Sequence, residues 1–145
     1  MMEKERVRRY IDKIDHIKER SEDINRWMRE TDTKENIDKK TRLAIYKAMQ
    51  EIVEASTDIL AMILKDEGKL PKDDYTNINI LYEHGVIDKK LKETLKEANG
   101  LRNRLIHGYN GLNPEIAFVS IKKLLPHTET FIDVVTEWLK RALDR

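Results

Sequence analysis

Few residues in this chain can turn a corner. Of 145 residues, five are glycine and three are proline. A sandwich or barrel of short strands needs a turn about every ten residues, and this chain has too few turn-formers to supply them. What it has instead is charge, 38% of residues against 39% apolar, where roughly 25% charged is usual. Long helices with an apolar stripe and a charged outer face satisfy both facts. At this length about 70% of the unfolded chain's surface can be buried, enough for one real core. The expected architecture is therefore all-α, a four- to five-helix antiparallel up-and-down bundle forming a single domain over residues 1–145.

The stripes can be followed along the chain. From about Glu3 to Arg29, Val7, Tyr10, Ile11, Ile14, Ile17 and Ile24 recur at helical spacing. Thr31-Asp32-Thr33 is a polar break. A second helix is expected from about Glu35 to Lys65, with Leu43 on its apolar face and the small residues Ala48, Ala55 and Ser56 allowing close approach; Gly68 and Pro71 end it. A short third helix follows from Asp74 to His84, capped by Asp73 or Asp74 and stopped by Gly85. Asp88 caps a fourth, which turns Leu91, Leu95, Ala98, Leu101 and Leu105 inward. Gly100 interrupts this fourth stripe at a cost of about 1 kcal/mol against alanine, which suggests close packing or a nearby site. Asn113-Pro114 opens the last helix, which carries Ile116 on its apolar side and which Pro126 should bend or split.

Several function classes are excluded or made remote. Lys and Arg number 28 and Asp and Glu 27, so no overall positive field draws in nucleic acid, and any such site must be a local patch. Cysteine is absent, which removes disulfides, thiolate metal sites and cysteine nucleophiles. The first residues are charged, and the longest apolar run, Ile59 to Leu64, is far short of a membrane span. A soluble, cytoplasmic protein without membrane contact is expected. Asp12 and His16 lie four apart, but a lone pair is usually a surface contact, so neither a metal nor a cofactor is expected.

One stretch concentrates chemistry: Leu101-Arg102-Asn103-Arg104-Leu105-Ile106-His107-Gly108-Tyr109-Asn110. Asn103 and His107 share a helix face; Arg102 flanks it and lies about 140° from His107. An arginine fork suits a phosphate, and an imidazole with a pKa near 6.5 suits proton transfer. Together they match RNA cleavage in which the 2′-hydroxyl attacks the adjacent phosphate, a chemistry DNA cannot support. One histidine cannot readily act as both base and acid, so a homodimer bringing two copies of Arg102 and His107 to one cleft is expected. The plainer reading is an ordinary helix end, with Gly108 as a left-handed C′ residue, His107 against the helix dipole, and Arg102 and Arg104 solvated or paired with Glu97 or Glu93. Glu54 and Asp58 either join the cleft, pairing with Arg102, or form a solvated face. The fourth helix is the one locally basic element, and Lys96 and Arg104 are its expected RNA contacts.

The segment Arg102-Asn103, His107, Tyr109 resembles the signature of the HEPN superfamily, in its HepT-like branch. The likeness extends to the second helix from Ala48 to Ile59, to Gly85-Val86-Ile87, and to Leu125-Pro126. It implies an all-helical, homodimeric, metal-independent ribonuclease toxin. Arg102 would stabilise the phosphate, His107 would move the proton, and Asn103 would orient them. It also implies a partner, a minimal nucleotidyltransferase antitoxin of MntA type that silences the toxin by placing adenylate on Tyr109. An added nucleotide two residues from His107 would fill the cleft and repel RNA. The alternative within the family is a catalytically silent module that binds nucleotide or docks a nucleotidyltransferase.

Overall fold

The computed structural model describes residues 2–30, 37–108 and 111–145. Among them are six helices and no strand: α1 (Lys4–Glu30), α2 (Lys39–Asp66), α3 (Asp74–Glu83), α4 (Lys89–His107), α5 (Pro114–Leu124) and α6 (His127–Leu143). The all-α expectation holds. The count exceeds five because Pro126 splits the last helix: α5 stops at Leu124, and α6 restarts on Pro126 without a side-chain cap. Proline has no N–H to give and its ring crowds the preceding turn.

Local chemistry explains the boundaries. Asp38, Asp73 and Asp88 accept from the backbone N–H groups of Thr41, Thr76 and Leu91, each three residues on. Asn113 accepts from Glu115 and Ile116, with Pro114 at the first helical position. Gly68 and Gly85 end α2 and α3 with φ of +81° and +75°. At each end the glycine N–H and the one after it reach back to two orphan carbonyls: Lys65 and Leu64, then Tyr82 and Leu81. The described part of α2 begins at Lys39, capped by Asp38; Glu35 and the Thr31-Asp32-Thr33 break lie outside the described residues.

Cross-helix contacts give the directions. Arg6 meets Asp66, Lys13 meets Asp58, and Arg20 stands near Glu51, so α1 and α2 are antiparallel. Tyr10 packs on Trp138 with ring centroids 5.6 Å apart, and the Trp138 indole donates to Glu67 at 2.7 Å. This brings α6 alongside, parallel to α2. Leu91, Leu95 and Ala98 of α4 share an interhelical gap with Ile52 and Ser56 of α2 and Phe131 of α6. α3 and α5 pack on either side of α4: Lys92 rests on Tyr82, and Lys123 pairs with Glu97.

Three stripe residues fall outside the core. Ile11, Leu43 and Ile116 are exposed, because at about 100° per residue each lies off the buried face of its helix, Leu43 on the side opposite Ile45. His16 meets Glu51, not Asp12, which pairs with Arg8. None of the described helices is long and apolar enough to cross a membrane.

Candidate functional site

The last two turns of α4 carry the residues singled out in the sequence. Leu101 is fully buried and anchors this part of the helix. Arg102 and Asn103, one and two steps further round, are half-buried, while Arg104 and His107 are exposed. Arg102 Nη1 donates to Asn103 Oδ1 at 2.8 Å. Its Nε is buried without a hydrogen-bond partner among the described residues and stands 4.0 Å from Glu54 Oε1 of α2. Glu54 Oε1 also accepts from Gln50 at 2.7 Å. The guanidinium is therefore steered from two sides, yet a quarter of its side chain reaches solvent. That is how an anion-binding fork must be held: fixed in direction, with donors left over.

Arg102 does not pair with Glu93 or Glu97 as the plainer reading allowed. Glu97 is taken by Lys123 at 3.0 Å, and Asp58 by Lys13 at 3.2 Å. Within the chain, no hydrogen bond or ion pair among the described residues joins His107 to Arg102 or Asn103. The structure thus brings together Arg102, Asn103 and Glu54, and leaves His107 at the exposed rim.

The helix end differs from the expected one. Gly108 is not left-handed; its φ is −94° and its N–H bonds to the Arg104 carbonyl at 2.8 Å. Glycine is required for room instead: a Cβ there would stand 2.5 Å from the Arg104 carbonyl oxygen and 3.3 Å from Leu112 Cβ. Beyond it, the Gly111 and Leu112 N–H groups both donate to the Gly108 carbonyl, at 3.1 and 3.0 Å. Tyr109, the expected acceptor of adenylate, lies outside the described residues.

Sequence reasoning missed Asn99. It is 2% exposed, one turn before Arg102 and Asn103, with a buried Oδ1 that has no partner among the described residues. Its signal was present: it falls four residues after Leu95 and four before Asn103, on the inward edge of the helix. No group of three or more His, Asp or Glu among the described residues can hold a metal ion.

Comparison with known proteins places this geometry in a family. The family model described as ribonuclease HepT-like matches residues 9–135; the chain belongs to that family. It is 33% identical over 139 residues to a protein of Archaeoglobus fulgidus named as a candidate RNase, covering 94% of this chain and 97% of the relative. It is 31% identical over 88 residues to the mRNA nuclease HepT of Shewanella oneidensis, covering 60% of this chain and 66% of that protein. Among solved structures, the tri-AMPylated HEPN toxin of Shewanella oneidensis, in complex with its MNT antitoxin, superposes with a TM-score of 0.82 at 26% identity. That match covers 94% of this chain and 99% of the other.

Proposed function

We propose that this chain is the ribonuclease toxin of a toxin–antitoxin pair, cutting RNA at a composite site shared by two copies. The observation that carries this reading is the Arg102 guanidinium, steered by Asn103 and Glu54 at the end of the helix that presents His107. In the reaction the RNA 2′-oxygen bonds to the adjacent phosphorus and the bond from phosphorus to the 5′-oxygen breaks. One His107 takes the 2′ proton, and the second, from the other copy, protonates the departing 5′-oxygen. Arg102 stabilises the extra negative charge on the phosphate oxygens. Asn103 holds the fork in plane. The products are a 2′,3′-cyclic phosphate and a 5′-hydroxyl.

The partner in this reading is a nucleotidyltransferase antitoxin that attaches adenylate to Tyr109. Its support is the family and the antitoxin-bound, AMPylated relative. The scheme uses no metal, so cleavage should persist in EDTA and leave cyclic phosphate ends, and His107→Ala should abolish it. Cleavage that needs a divalent ion, or that survives His107→Ala, overturns the mechanism. Co-expression with a nucleotidyltransferase encoded beside it should add the mass of adenylate at Tyr109 and silence the nuclease.

A further inference from the structure

We infer that the groove between α3 and α4 is a track for single-stranded RNA, with bases stacked on Tyr75 and Tyr82 and phosphates held by Lys92 and Lys96. The inference rests on the nuclease reading and names the form of its substrate. Lys92, Lys96 and Gly100 follow one another at four-residue intervals on α4, and His107 lies on the same face two turns further on. The row therefore points at the motif. α3 runs antiparallel beside it and lays two tyrosines against the row. Tyr82 receives the Lys92 ammonium 4.1 Å from its ring centroid. Tyr75 sets its hydroxyl 3.7 Å from the point where a Gly100 Cβ would be.

Four features make this a nucleic-acid surface. Both tyrosines are large rings left in solvent, 41% and 36% exposed, seven residues and so about 10 Å apart along α3. Neither Lys92 nor Lys96 has a carboxylate partner among the described residues. The acidic residues of α4 stand one row round, where Glu97 is occupied by Lys123 and Glu93 faces water. Finally, packing does not demand the glycine at 100, since an added Cβ would meet only ordinary contacts, at 3.6 and 3.7 Å. A bare helix position in the middle of a cationic, aromatic stripe lets a ligand backbone come close. Cations interleaved with aromatic faces are how proteins hold unpaired strands without reading sequence. In the free protein Lys92 rests on the Tyr82 face; RNA brings a base to the ring and a phosphate to the ammonium, so both remain partnered.

The test is a fluorescence anisotropy titration of the full chain with a 2′-O-methylated single strand, which cannot be cut, alongside cleavage of the unmodified strand. Tyr75→Ala and Tyr82→Ala should each weaken binding about five- to 150-fold, the range of one stacked base, and the Tyr→Phe variants should bind like the wild type. Lys92→Gln with Lys96→Gln should flatten the log–log salt slope by about 1.4. A duplex of the same sequence should bind more weakly. The track is overturned if the wild-type chain cuts RNA while both alanine variants bind normally, a result that leaves the nuclease reading standing. It is also overturned if duplex binds as well as single strand, or if the phenylalanine variants fail along with the alanine ones. RNA neither bound nor cut would overturn both readings.

Discussion

A single guanidinium shows how much of the site depends on its neighbours. Arg102 gives one hydrogen bond to the residue beside it and is held by one electrostatic restraint from another helix. A lysine in its place keeps the charge but loses the planar fork that can hold two phosphate oxygens at once. Arg102→Lys should therefore lower the cleavage rate about 100- to 1,000-fold, the usual cost of losing an oxyanion donor, with an unchanged melting temperature; near-normal turnover would show that charge alone suffices. The residues of the motif were legible as a string because their chemical types are unusual together. Their partners were not. Helical spacing says which residues share a face, but nothing about which residue of another helix that face meets, so Glu54 stayed one option among several. Gly108 was legible as a helix stop for the wrong reason, since crowding by a carbonyl leaves no mark in the sequence that handedness does not also leave. Asn99 was passed over because a polar side chain in an apolar stripe reads as its edge.

Helix boundaries were the most readable feature, because capping is local chemistry: Asp73, Asp88, Asn113-Pro114, Gly68, Gly85 and Pro126 all act within a few residues of themselves. The polar ties between helices could not be read this way. Tyr10, fully buried on α1, donates to Asp66 of α2, and the Trp138 indole of α6 donates to Glu67. Burial, reinforced by the Asp66 carboxylate, raises the Tyr10 phenol above its ordinary value. The Trp138 hydrogen bond, helped by Arg145, holds the Glu67 carboxyl below the usual carboxylate range. These ties give stability opposite pH limits. The Tyr10 contribution is complete below its unfolded pKa of about 10 and is lost as pH rises through the higher folded value. The Glu67 contribution is present above about 4.3 and is lost as pH falls through its lowered folded value. Melting curves across pH should show Tyr10→Phe less stable at neutrality by about 1–3 kcal/mol, with a flatter alkaline limb. Glu67→Gln should flatten the acid limb only. An alkaline limb unchanged by Tyr10→Phe would show that this phenol does not set it.

At the scale of the molecule, the bundle has a polar, knotted end and a chemical end. α4 and α2 are antiparallel, so the motif and the Asp66–Glu67 ties lie at opposite ends of a helix about 28 Å long. A composite site makes a prediction that no single-chain site makes. Because the scheme uses the His107 of both copies, exchanging wild-type dimers with an excess of His107→Ala chains should silence nearly all cleavage, since each hybrid keeps one imidazole where two are needed. Light scattering should give twice the chain mass throughout. Cleavage that persists in proportion to the wild-type chain present, with hybrid dimers confirmed, would place the whole reaction within one subunit. The knotted end also fixes where the chain's extremities emerge. Arg6 is tied to Asp66 and Arg145 to Glu67, so both extremities leave the bundle on the side away from His107. A fluorescent fusion, an affinity handle or a surface tether attached at either one would hang a helix length from Arg102 and His107 and leave both side chains uncovered.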